Sequence, residues 1–192
     1  RKVVLERRDH RSSRQLCQDS STRSRRKRMN NEIFPANGIV ITDLKVIPEW
    51  IDYNNHMNVV YYVQAFETGF DFYKDLIGMD LAYIQSRNLS TVSLESHICY
   101  KKEADLNDVL RIETRVVEFD KKRAHIYQEM YREADLLATQ ETLSISFNTL
   151  TRRTQEFDLE VIKGYTRLRD AQKAHAAQPE INKSIRKLSP TN

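Results

Sequence analysis

The sequence predicts an α+β domain in which an antiparallel sheet wraps around one long central helix. Three observations carry this reading. A single strand pattern comes first, an amphipathic helical pattern of about five turns follows it, and from Thr91 onward the apolar period switches to two across four long segments. The links between those segments are short, so the strands follow one another as hairpins or near equivalents.

In chain order, residues 39–47 read as the first strand, closed by Pro48, which cannot donate to a ladder. Val59, Val63, Phe66, Phe70, Tyr73 and Ile77 then recur every three or four residues, while Gln64, Glu67, Asp71 and Lys74 occupy another face. Gly78 is placed to stop this helix. Gly69 lies inside it at a cost of about 1 kcal/mol relative to Ala, which implies close approach of another backbone. A short helix is expected over Leu81–Arg87.

In the strands, Leu110, Ile112, Thr114 and Val116 alternate with Arg111, Glu113 and Arg115; Ala124, Ile126, Gln128 and Met130 alternate with His125, Tyr127, Glu129 and Tyr131. Leu143, Ile145 and Phe147 alternate with Ser144 and Ser146. Links are expected at residues 105–108, 119–123 and 133–135, and the apolar face of the sheet is expected against the helix. Val161, Tyr165 and Leu168 resume helical spacing as a surface helix. The organisation is therefore a disordered basic extension over 1–36, the α+β domain over 37–155, a C-terminal helix over 156–178 and a mobile tail over 179–192, without internal repeats.

Charge is unevenly placed. Residues 1–28 hold eleven Lys/Arg against Glu6, Asp9 and Asp19, a net +8, whereas the whole chain is +4 and residues 29–192 are therefore −4. The basic balance belongs to the extension, so the body has no electrostatic support for nucleic-acid binding. The extension, rich in Arg and Ser, suits a segment with no role in the domain, an organelle transit peptide or a nucleic-acid arm; its composition changes at Met29, and it lacks the apolar stretch of a secretory signal. No run of about 20 apolar residues is present, so no membrane span is expected. Cys17 and Cys99 fall in different contexts and match a reduced, cytoplasmic compartment.

Chemistry concentrates in Asp52-Tyr53-Asn54-Asn55-His56-Met57-Asn58, directly before the long helix. A carboxylate, an imidazole and amides gather there beside free N–H groups and the positive end of a helix dipole, which suits a developing oxyanion. The same residues also read as turn and cap formers. None of the histidines has metal-ligand spacing with another His, Cys or acid, so no metal or other cofactor is implied.

Together with Trp50-Ile51 before it and Val59-Val60-Tyr61-Tyr62 after it, this motif resembles the helix entry of hotdog-fold acyl-CoA thioesterases of the 4-hydroxybenzoyl-CoA thioesterase superfamily. Leu94-Glu95-Ser96-His97-Ile98-Cys99-Tyr100, Glu129-Met130-Tyr131 and Ala138-Thr139-Gln140-Glu141 extend the likeness over residues 37–155. Within the group the chain is most similar to bacterial betainyl-CoA thioesterases of carnitine breakdown. The resemblance implies a hotdog fold, acyl-CoA hydrolysis and at least a homodimer. It casts Asp52 as nucleophile or general base, Asn54 and His56 as its positioning partners, and the N–H groups near Met57 and Asn58 as the oxyanion hole. Glu95, on the strand after the helix, is the second candidate carboxylate. His97 and His125 read as strand-face histidines.

Lys121, Lys122 and Arg123 stand at a predicted hairpin where they would meet the phosphates of coenzyme A, with Lys101 and Lys102 as lesser candidates. Trp50, Tyr53, Tyr61, Tyr62 and Tyr127 supply rings for an aromatic cage around a quaternary ammonium, and equally for a core or interface. Two other readings are a hotdog protein that binds acyl-CoA without turnover and a nucleic-acid-associated protein acting through residues 1–28.

Overall fold

In the computed structural model, which describes residues 34–173 and 181, a six-stranded antiparallel sheet curls around one helix. The elements are β1 (Val40–Lys45), a 3-10 turn (Pro48–Trp50), α1 (Val59–Leu76), α2 (Leu81–Arg87), β2 (Leu89–Tyr100), β3 (Val109–Phe119), β4 (Arg123–Arg132), β5 (Asp135–Asn148), β6 (Arg153–Thr154) and α3 (Leu159–Gln172). The sheet order is β1-β3-β4-β5-β2, with β6 added beside β5. This is the hotdog arrangement. The basic extension expected over 1–36 lies almost wholly outside the described residues, as does the tail over 179–192 apart from residue 181.

Helix α1 forms because its apolar face finds the concave side of the sheet. Asn58 caps its start by accepting from the Val60 N–H at 3.0 Å. Its end follows from Gly78, at φ +84°, with the Met79 N–H returning to the Lys74 carbonyl at 2.8 Å. Phe66, Phe70 and Tyr73 are buried on the inner face. At Gly69 an added Cβ would stand 2.7 Å from Ile112 Cγ2 and 3.0 Å from Gln128 Nε2, so the close approach is to side chains of β3 and β4 rather than to a second backbone. Gln128 makes the contact specific, donating to the Phe66 carbonyl at 2.8 Å and to Thr114 Oγ1 at 3.0 Å.

On β3 and β4 the expected apolar alternation faces α1, but β5 reverses it. Gln128 pairs with Gln140, Ile126 with Thr142 and Ala124 with Ser144, so the helix-facing residues of β5 include Gln140, Thr142, Ser144 and Ser146. Leu143, Ile145 and Phe147 turn to the other face. The expectation of an apolar inner face therefore fails on this strand. Ser144 Oγ donates to the Ala124 carbonyl at 3.2 Å and Thr142 Oγ1 accepts from Gln140 Nε2 at 3.1 Å, whereas the Ser146 hydroxyl is buried without a partner.

Helix α3 buries Val161, Tyr165 and Leu168. Tyr165 meets Phe119 of β3 and Tyr73 of α1 at centroid distances of 5.2 and 6.0 Å, so α3 closes the far end of the core. At the near end Val46, Trp50, Met57, Tyr62, Phe66, Ile112, Met130 and Ala138 pack into one cluster beneath the start of α1. No helix among the described residues is long and apolar enough to cross a membrane.

Candidate active site

The segment between the 3-10 turn and α1 is a pinched loop. Ile51 and Met57 form an isolated antiparallel bridge, the Asp52 N–H donates to the His56 carbonyl at 3.1 Å, and the Asn55 N–H donates to the Asp52 carbonyl at 3.0 Å. Closing so few residues needs a left-handed backbone at Asn55, φ +67°, a conformation that asparagine tolerates better than most side chains. Trp50 stacks on Tyr61 at 5.5 Å and fixes this loop to the first turn of α1.

Within the loop the Asp52 carboxylate is held at both ends. Oδ1 accepts from the Asn54 N–H at 2.8 Å, and Oδ2 lies 3.5 Å from Asn58 Nδ2. Its side chain is 13% exposed, and His56 Nδ1 lies 4.0 Å from Oδ1. Asp52, Asn54, His56 and Asn58 thus converge, but Asn54 contributes its backbone rather than its amide, and Asn58 is at once helix cap and carboxylate neighbour.

The N–H groups expected to form the oxyanion hole are engaged elsewhere. That of Met57 donates to the Ala104 carbonyl and that of Asn58 to the Trp50 carbonyl, both at 2.8 Å. These bonds build the loop, so Met57 and Asn58 do not present free donors. The next N–H, that of Val59, opens α1, where the helix itself supplies no acceptor. It is the candidate oxyanion donor left at the helix start.

Beside it opens a cavity of about 290 Å³ lined by His56, Met57, Val59, Tyr62, Tyr100, Lys101, Lys102 and Glu103. His56 forms the wall on the Asp52 side. Residues 101–104 reach this wall because the Lys101 and Lys102 N–H groups both donate to the Leu137 carbonyl, at 2.8 and 3.1 Å, while the Ala104 N–H donates to Tyr62 Oη at 3.0 Å. Glu103 Oε1 comes within 3.8 Å of His56 Nε2. Burial raises the Tyr62 hydroxyl above its ordinary pKa, the Ala104 bond opposes this, and the nearby Glu103 charge adds to the rise.

Other candidates lie apart. Glu95 pairs with Leu143, on the sheet face opposite α1, so within one chain it does not join Asp52. His97 shares that face and approaches Cys99 Sγ at 3.9 Å, and buried His125 lies 2.7 Å from Glu141 Oε1. The turn at residues 121–123 is at the far end of the ten-residue β4, about 30 Å from the Asp52 end at ~3.3 Å per residue. There Asp120 accepts from the Lys122 and Arg123 N–H groups and from the Arg123 guanidinium, so Arg123 is paired within its own hairpin. The five-ring cage is not assembled either: Tyr53 is 91% exposed, Tyr127 is buried on β4, and Trp50 and Tyr61 cover one another. The cavity rings are Tyr62 and Tyr100, edge to face at 5.2 Å.

Comparison with known proteins agrees with this fold. The profile of the Thioesterase-like superfamily matches residues 46–165, from just after β1 to the middle of α3. The chain belongs to that superfamily. It is 30% identical over 149 residues to an L-carnitine dehydrogenase/betainyl-CoA thioesterase of Ruegeria pomeroyi, covering 77% of this chain and 30% of that protein. It is 28% identical over 131 residues to a betainyl-CoA thioesterase of Pseudomonas aeruginosa, covering 67% of this chain and 82% of that one. The chain thus spans less than a third of the Ruegeria protein and most of the Pseudomonas one. Among solved structures, a Staphylococcus aureus protein crystallised with CoA superposes with a TM-score of 0.71 at 23% identity, covering 78% of this chain and 96% of that one. A DHNA-CoA thioesterase from the same species gives 0.66 at 15% identity, covering 73% and 97%. These two establish likeness of fold.

The sequence did not single out Tyr100, Glu103 or the Val59 N–H as parts of the site. Tyr100 and Glu103 stand more than forty positions from Asp52, and only the pairing of β2 with β5 brings them to the helix start.

Proposed function

We propose that this chain hydrolyses acyl-CoA thioesters to a carboxylic acid and free coenzyme A. The observation that carries the proposal is the Asp52 carboxylate, fixed at the start of α1 with His56 4.0 Å away and an open cavity beside it lined by His56 and Val59. A thioester carbonyl placed between Asp52 and the Val59 N–H would meet a nucleophile or general base on one side and an oxyanion donor on the other. As nucleophile, Asp52 would form an acyl anhydride and expel the CoA thiolate, and water would then hydrolyse the anhydride. As base, it would take a proton from an attacking water, and the tetrahedral intermediate would expel the same thiolate, which acquires a proton from solvent. Both routes consume one water and release the same products.

The acyl group favoured by this reading is betainyl, because relatives matching 55% or more of the chain carry that activity in their names. Thiol release measured over a panel of acyl-CoAs tests both levels. Turnover of betainyl-CoA above neutral and straight-chain thioesters supports the finer reading; turnover with a preference for straight chains reassigns the substrate; binding without turnover converts the chain to an acyl-CoA-binding protein.

The working unit of this reading is a homodimer. β2 is one of the two sheet edges, twelve residues long, and it exposes Val92, Leu94 and Tyr100, while α1 exposes Val59, Val60 and Val63. Two copies joined along β2 would pair these backbone edges and cover the apolar side chains. Residues 121–123, remote from Asp52 in their own chain, could meet CoA phosphates only from a second copy.

A further inference from the structure

Glu103 has no part in the hydrolysis described above, yet it lines the same cavity. We propose that Glu103, with the rings of Tyr62 and Tyr100, is the specificity-determining residue of the site and selects acyl groups that carry a positive charge. The proposal rests on the thioesterase reading and adds to it the residue that reads the acyl group.

Distance supplies the first argument. In a thioester such as betainyl-CoA the quaternary nitrogen lies two bonds from the carbonyl carbon. A carboxylate that stabilises this cation must therefore stand about one small side chain away from the attacking group. Glu103 meets that condition, since a single imidazole separates it from Asp52, with gaps of 4.0 Å on one side and 3.8 Å on the other.

Placement supplies the second. The bonds of Lys101, Lys102 and Ala104 to Leu137 and Tyr62, and of Met57 to Ala104, clamp the backbone on both sides of Glu103. Its side chain, 74% exposed, places the carboxylate 3.8 Å from His56 Nε2, a residue of the same wall. Tyr62 and Tyr100, set at 86° to each other, add an aromatic corner of the kind that attracts alkylammonium groups. Of the wall lysines, Lys102 is paired with Asp135 at 2.6 Å, and Lys101 suits the anionic coenzyme end of the same ligand. An acyl group bearing a carboxylate would be repelled by Glu103.

The test compares purified wild-type protein with Glu103→Gln on two thioesters of one shape, betainyl-CoA and 3,3-dimethylbutyryl-CoA, in which carbon replaces the charged nitrogen. The readout is the ratio of kcat/KM for the cationic over the neutral substrate. The expected result is a fall in that ratio of about two- to fivefold in Glu103→Gln, the scale of an exposed charge pair, and a larger fall in Glu103→Lys. The exposure of Glu103 makes loss of folding no obstacle. A ratio that does not move overturns the proposal, including the case of equal loss on both substrates, which would assign Glu103 to orienting His56. Wild-type protein that turns over neither thioester but hydrolyses straight-chain acyl-CoA overturns the proposal alone; wild-type protein that hydrolyses no acyl-CoA refutes the thioesterase reading beneath it, and the proposal with it.

Discussion

Asp52 depends on residues that differ in what they contribute, and substitution separates them. Asp52→Asn keeps the shape of the loop but removes its only carboxylate, the group cast as nucleophile or base, so kcat should fall at least about a hundredfold with substrate binding retained. His56→Ala should cost less, on the order of tenfold, because it loosens the setting of the carboxylate without removing it. Asn54→Ala preserves the N–H that bonds Oδ1 and should leave most activity in place. Steady-state assay of the three variants checks this order, and a fully active Asp52→Asn would move the chemistry elsewhere. Asn55 is a different case: a β-branched side chain at φ +67° costs about 1–2 kcal/mol, so Asn55→Val should lower thermal stability while Asn55→Gly does not.

At the scale of elements, α1 and the sheet meet through Gly69. Gly69→Ala would drive a methyl to 2.7 Å from Ile112 Cγ2, so we expect a loss of about 1–3 kcal/mol by denaturant unfolding. The β3–β4 turn has its own anchor in Asp120. Burial alone would raise its carboxyl, but the Lys122 and Arg123 N–H groups and the Arg123 guanidinium outweigh burial and hold it below the ordinary value of 3.8. A depressed pKa in the folded state contributes stability above the ordinary value, and that contribution is lost as pH falls through the folded one. Asp120→Ala should therefore destabilise by about 1–3 kcal/mol at neutral pH, with the difference from wild type shrinking below about pH 4. Urea titrations at neutral and acid pH measure both.

For the whole molecule, the exposed β2 edge predicts association. Sedimentation at micromolar concentration should show a dimer, and Leu94→Lys, which puts a charge at the bulged centre of that edge, should shift it toward monomer and reduce turnover in step. A monomer with full activity would remove the second copy from the site. The hairpin at residues 121–123 then gives a further readout, since mixing Asp52→Asn with a charge-reversed variant of Lys121 and Lys122 should restore some activity only if coenzyme spans two copies.

What the sequence determined by itself was local or periodic. The bounds of α1 followed from Asn58 and Gly78, the strands from their period of two, and the position of Asp52 from the short spacing of its motif, because each depends on residues within a turn or a strand of one another. Tertiary structure decided the rest. The face of β5 that meets α1 was set by its register with β4, which placed Ser144 inside and Leu143 outside against the apolar rule. The Met57 and Asn58 N–H groups were claimed by the carbonyls of Ala104 and Trp50, an outcome that depends on where the β2–β3 connection folds. Glu95 and Glu103 differ in placement for the same reason. Strand alternation turns the first away from α1, whereas the chain leaving β2 brings the second beside His56, and contacts between residues more than forty positions apart leave no trace in local spacing.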